Sequence, residues 1–306
     1  MKLFIIGNGF DQGHLLPTKY EHFRDYLEKE NWAFLTKLEA PYGFVPESRE
    51  DFVKELLWKD FESNLSNVNE AEIVDGALSI DMGLEGGDVD IEDKLNEYWC
   101  EQYEYIRHLN DYVYEWVKQV NIDIPKKTKY IDNTTDDLFL TFNYTLVLEK
   151  VYEVEPYQIL RIHGSVNAKE YGPPIIGHGN DKNALLAKEK ATKASENYWE
   201  KESSIYRTLA EYYQETRKDV NYFINSNSGF FKRLHNVEEV NVIGHSLGEV
   251  DMPYFRKVLQ NTKSNTLWNI YYHSEEEKDV LFQRALQIGI KEENIRPCST
   301  KEFYVI

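Results

Sequence analysis

Four short segments carry side chains able to do chemistry, and each follows a run with strand character. The first is Phe4-Ile5-Ile6-Gly7-Asn8-Gly9-Phe10-Asp11. Glycines after a strand let the backbone approach a phosphate, and a following helix start favours anions. Gly7, Asn8, Gly9 and Phe10 are therefore read as nucleotide-binding residues. The next glycine is Gly13, one residue beyond the G-x-G-x-x-G spacing. A tight turn with Asp11 as a helix cap accounts for the segment equally well. The second segment, Leu140-Thr141-Phe142-Asn143-Tyr144-Thr145, offers a neutral amide that both accepts and donates. Asn143 can orient a ribose hydroxyl or a water, or serve as a turn residue. The third, Arg161-Ile162-His163-Gly164-Ser165, places a histidine at a strand end. His163 can act as a general base near neutral pH, with Gly164 leaving room for substrate, or be a hydrogen-bonded core histidine. His178, in Ile176-Gly177-His178-Gly179, repeats the glycine-flanked pattern. The fourth, Val242-Ile243-Gly244-His245-Ser246-Leu247-Gly248 with Asp251, matches the G-x-S-x-G elbow of serine hydrolases. Only His273 follows as a triad histidine; an acid-then-histidine order would need Asp251, which is too near, or the glutamates at 275–277, which fall after the histidine.

The elements that must position these residues are strands at the termini and helices between. Short apolar runs predict strands at 3–6, 137–143, 158–163, 173–178, 237–244, 266–272 and 302–306. Helical spacing predicts helices over about 17–42, 48–65 and 91–120. Phe52, Leu56 and Phe61 share one face of the second. Residues 67–93 are acidic and contain Gly83, Gly86 and Gly87, which predicts a loop. Residues 181–232 read as further helices. The fold class is α/β, a parallel Rossmann-like sheet with helical insertions. The core is expected from 1–20, 130–180 and 235–306, with insertions over 21–129 and 181–234.

The chain has 306 residues and 35 basic against 53 acidic side chains, a formal net charge of −18. Such a surface repels phosphate backbones and anionic lipid, so neither bulk nucleic acid nor membrane is an expected partner. A small nucleotide held by backbone amides remains compatible with it. Two cysteines, Cys100 and Cys298, cannot build a disulfide scaffold or a four-thiolate zinc site. No metal site is expected. The first residues lack the apolar run of a signal peptide, and no segment reaches about 18 apolar residues. The expected location is the cytoplasm.

Taken in order, these motifs resemble the bacteriophage abortive-infection AbiH family. The matching residues are Ile6 to Asp11 with Leu16-Pro17-Thr18 and Tyr20, Trp58-Lys59-Asp60-Phe61-Glu62 with Leu65, Thr141 to Thr145, Ile162-His163-Gly164, and Gly244 to Leu247 with Asp251. The same order is distantly similar to the sirtuin domain: Gly7 and Gly9 fall on its glycine turn, Asn143 on its asparagine, His163 on its histidine and Ser246 on its late serine. Thr145 stands where that domain has an aspartate. The resemblance implies an anti-phage effector that hydrolyses NAD or a related nucleotide at its glycosidic bond, with no added cofactor. Asn143, His163 and Asp11 would be catalytic. Gly7, Asn8, Gly9, Phe10, Gly244, His245, Ser246 and Asp251 would bind the nucleotide. Glu62 would reach the same pocket or sit in a buried salt bridge. An effector of this kind implies a phage-derived trigger or another defence protein as partner, and homo-oligomers. Two other readings stand beside it: a non-catalytic nucleotide sensor, and a metal-dependent nuclease using Asp11, Asp60, Glu62 and Asp251.

Overall fold

A computed structural model describes residues 1–79 and 104–304. The chain divides into two compact units, one of Met1–Lys19, Tyr114–Ile175 and Asp219–Ile306, the other of Tyr20–Val113 and Ile176–Lys218.

The first unit holds a six-stranded sheet in the order β3-β2-β1-β4-β5-β6. Its strands are β1 (Lys2–Ile6), β2 (Leu138–Thr141), β3 (Ile159–Arg161), β4 (Glu239–Ile243), β5 (Leu267–Tyr272) and β6 (Ile295–Ser299). Every pairing is parallel. A parallel sheet needs both faces covered, so its strands read as continuous apolar runs. Alternation assigns Leu3, Ile5, Leu138, Leu140, Val240 and Val242 to one face, under the helices Met252–Asn261 and Glu275–Ile288. Phe4, Ile6, Phe139 and Ile243 line the other, against Phe10, Val147, Leu148, Tyr152 and Phe303. The chain leaves β1 toward β2 on one side and returns to β4 on the other. That reversal makes a switch point at the carboxyl ends of β1 and β4, where open α/β sheets bind ligands.

Two expected strands are absent. Residues 173–178 begin with two prolines and form no ladder; the described chain there has one isolated bridge, His178 to Arg217. The last strand lies at Ile295–Ser299, and Thr300–Phe303 is a helical turn. β6 contains Pro297 and is half exposed, as an edge strand tolerates.

The second unit is helical: Tyr20–Glu30, Trp32–Glu39, Glu50–Val53, the π-turn Lys54–Trp58, Phe61–Asn64, Glu70–Leu78, Lys182–Glu196 and Glu200–Glu215. The helix at Glu70–Leu78 falls where a loop is expected over 67–93; residues 80–93 lie outside the described chain, as do 91–103 of the expected third helix and Cys100. The π-turn also breaks the expected apolar stripe. Phe61 is buried while Phe52 and Leu56 are 55% and 51% exposed. Val53, Leu57 and Trp58 face inward instead.

Candidate functional site

The turns after β1 and β4 interlock. Gly9 N–H donates to the Gly244 carbonyl at 2.8 Å, and Gly7 N–H to that of Ile243 at 3.0 Å. A Cβ on Gly9 would stand 2.6 Å from the Gly244 Cα. Gly244 itself has φ +63°, open to glycine at little cost. Backbone-to-backbone packing at the switch point therefore explains these glycine types without a ligand. Phe10 N–H is also used, donating to the Gly7 carbonyl at 2.9 Å, and the Phe10 ring is fully buried. Asn8 donates through Nδ2 to the Thr18 carbonyl at 2.7 Å, tying the following loop to the turn.

Asp11 caps nothing. It lies inside the short helix Asn8–Gly13, whose N-cap is Gly7. Its side chain is 1% exposed, and Thr145 Oγ1 donates to its Oδ2 at 2.8 Å. Burial pushes its pKa up to about 6; the Thr145 hydroxyl, the Asn143 amide and the charge of Arg161 pull the other way. Neither Asp11 Oδ1 nor either polar atom of the Asn143 side chain makes a hydrogen bond of good geometry among the described residues, although the Asn143 amide lies close enough to Asp11 to favour its charged form. Asn143 is 7% exposed, so an amide and a carboxylate oxygen are both withdrawn from water without full compensation. Arg161, at the end of β3, braces the group from below. Its Nη1 donates to the Asn143 carbonyl at 2.8 Å and its Nε to Glu149 at 2.8 Å.

The second polar group adjoins the first through the sheet register. Thr141 pairs with Arg161, so Asn143 and His163 each stand two residues beyond one paired row of β2 and β3. His163 Nε2 lies 3.8 Å from Asp251 Oδ1, and His245 Nε2 lies 3.3 Å from Asp251 Oδ2. One carboxylate thus faces two imidazoles. The Phe142 ring packs against both, with centroids 5.3 Å from His163 and 4.4 Å from His245. Gly164 does not open space for substrate as expected. The position of a Cβ there is taken by the Pro173 carbonyl at 2.0 Å, and φ is +74°.

Ser246 is exposed, and its carbonyl accepts from Arg284 Nη1 at 2.7 Å. The next helix starts at Met252, beyond Gly248, so the strand-elbow-helix geometry of a hydrolase is absent. His178 and Glu62 belong to the helical unit. His178 Nδ1 accepts from Asn180 N–H at 3.0 Å, and burial pushes its pKa down to about 4. Glu62 is the salt-bridge partner of the buried Lys218 at 2.8 Å and accepts from the Tyr20 hydroxyl at 2.6 Å. Among the described residues, no three side chains of His, Cys, Asp or Glu converge as a metal-holding group.

Sequence reasoning assigns no role to Thr145, Arg161 or His14. An arginine in the apolar run Ile159 to Ile162 is the available signal, since such a charge must be paired when buried. His14 is buried with Nδ1 on the Phe10 carbonyl at 2.8 Å and Nε2 on the Tyr152 hydroxyl at 2.7 Å. Burial holds its pKa below the usual histidine range, a neutral strut under the turn.

The site and fold define an open α/β protein with a polar group at its switch point. The family model "Bacteriophage abortive infection AbiH" matches residues 3–272, from β1 to the end of β5, and the chain belongs to that family. No curated protein and no solved structure matches it. The likeness to the sirtuin domain rests on the motifs alone.

Proposed function

We propose that this abortive-infection protein hydrolyses NAD, or a related nucleotide, at the glycosidic bond, using the carboxyl ends of β1 to β4. The observation that carries the reading is the buried Asn143 carboxamide beside Asp11, with three polar atoms that make no hydrogen bond of good geometry among the described residues. A donor, an acceptor and a carboxylate oxygen so arranged suit the hydroxyls of a ribose and an attacking water. Asn143 orients the sugar and the water. Asp11, ionised above about pH 6, stabilises the developing cation. His163 takes the proton of the water. In this proposal Gly7, Asn8, Gly9, Phe10 and Gly244 shape the turns beside the nucleotide, and His245, Ser246 and Asp251 supply the side chains that meet it. The amides of Gly7, Gly9 and Phe10 are spent inside the fold, so phosphate contacts fall to side chains at the β4 turn, with Arg284 bringing a positive charge to Ser246.

The depth of Asp11 and His163, 1% and 2% exposed, also suits a sensor that encloses a nucleotide without cleaving it. Incubating the purified full chain with NAD separates the two. Hydrolysis yields nicotinamide and ADP-ribose in equal amounts, and Asn143→Ala lowers the rate by about 10² or more, the scale of a positioned acid–base group. Binding with intact NAD recovered refutes hydrolysis. Cleavage unchanged in both Asn143→Ala and His163→Ala refutes this site.

A further inference from the structure

The turn after β4 holds a directional chain of polar contacts. Leu247 is buried in the left-handed region at φ +54°, a conformation in which its Cβ crowds the following carbonyl. That backbone brings its N–H to His245 Nδ1 at 2.9 Å. An imidazole nitrogen that accepts a hydrogen bond carries no proton, so the neutral ring holds its proton on Nε2. Nε2 faces Asp251 Oδ2 at 3.3 Å, and the other carboxylate oxygen faces His163 Nε2 at 3.8 Å. Asp251 is itself held by its N–H on the Gly248 carbonyl at 3.0 Å. Aromatic rings wall the two imidazoles: Phe142 beside both, Tyr254 5.7 Å from His163, and Phe255 4.9 Å from His245.

We propose that the strained β4 turn sets the tautomer of His245, and that His245 and Asp251 are positioning residues that orient His163. Leu247 N–H donates to His245 Nδ1, His245 Nε2 faces Asp251 at 3.3 Å, and Asp251 faces His163 across 3.8 Å, an electrostatic contact longer than a hydrogen bond. His245 has no lone pair to take a proton while the turn is closed, so the base of the hydrolytic reading is not His245. The assignment of that base rests on the hydrolytic reading above; the tautomer and the orientation do not.

Long-range proton–nitrogen NMR of the histidine-labelled full chain, recorded as a pH series so that the neutral form of each ring is observed, reads both. His163→Gln and His245→Gln assign the signals. His245 is expected with proton on Nε2 alone. In Asp251→Ala, His163 is expected to move toward averaged nitrogen shifts, while His245 keeps its tautomer through Leu247. A wild-type His245 protonated on Nδ1 overturns the proposal, and this needs no variant to fold. So does a folded Asp251→Ala protein whose His163 signals do not move. The predicted spectra without any NAD cleavage would uphold this arrangement and count against the hydrolytic function alone.

Discussion

Asp11 is the residue where chemistry and stability pull apart. Its pKa, raised from 3.8 to about 6, means that the folded state holds a proton which the unfolded chain has released. The stabilising effect of that proton is full below the unfolded value and is lost as pH rises through about 6. Above that, the buried charge costs about 3 kcal/mol, taking 1.36 kcal/mol per pKa unit. Asp11→Asn keeps an acceptor for the Thr145 hydroxyl and removes the charge. Thermal melting is expected to show the variant more stable than wild type at pH 7.5, by up to about that amount, with the gain shrinking toward pH 4. A variant equally destabilised at both pH values would contradict the burial argument. The cleavage rate of wild type is expected to fall as pH drops through about 6, because the ionised carboxylate is the form that stabilises a cation. Thr145 belongs with this residue. Its hydroxyl donates to an acid carried by the short helix that follows β1.

The elements place these residues through the interlocked turns of β1 and β4. Gly9→Ala puts a Cβ against Gly244 backbone that cannot rotate away, so the strand ends must separate. Denaturant unfolding is expected to show a loss of about 1–3 kcal/mol, the overpacking range, with NAD cleavage lost as well. Gly76→Ala is the control. A Cβ there meets nothing within 4 Å, inside the helix Glu70–Leu78, so stability is expected to rise by about 0.5–1 kcal/mol. If both variants behave alike, the close approach at the switch point does not set the glycine. Much of this level is legible in the order of residue types. Buried parallel strands are apolar runs ended by glycine or a polar residue, and β1, β2, β4 and β5 are recognisable that way. What escapes is decided by pairing rather than by local pattern. β6 is an edge strand with a proline and few apolar residues, whereas Thr300–Phe303 is a helical turn that buries Phe303. The π-turn at Lys54–Trp58 shifts the helical stripe by a residue, which no fixed period anticipates. Asn143 and His163 are legible as strand-end residues. Their neighbours Thr145 and Arg161 gain a role only through the sheet register that brings them to Asp11 and Glu149.

At the scale of the whole molecule, the net charge of −18 sets what the protein meets. A polyanionic strand is repelled, and among the described residues no helix is long and apolar enough to cross a membrane. The site is less acidic than the whole: Arg161 and Arg284 stand beside Asn143 and Ser246, and the carboxylates of Asp11 and Asp251 are each engaged by a neighbouring side chain. A single nucleotide is the ligand proposed for this arrangement. The helical unit carries its own buried pair, Glu62 with Lys218. Lys218→Met removes the cation facing Glu62 while the Tyr20 hydroxyl stays on the carboxylate, and is expected to cost up to about 3 kcal/mol in denaturant unfolding, while the double change Glu62→Leu with Lys218→Met recovers most of it. Membership of the abortive-infection family supplies the setting in which the site works, a cell meeting phage. The central claim is that the strand-end site removes NAD there. The most direct measurement is the NAD content of phage-challenged cells carrying either wild type or Asn143→Ala at equal protein levels. NAD is expected to fall, with nicotinamide and ADP-ribose rising, in wild type alone. Protection against phage with NAD undiminished would contradict it.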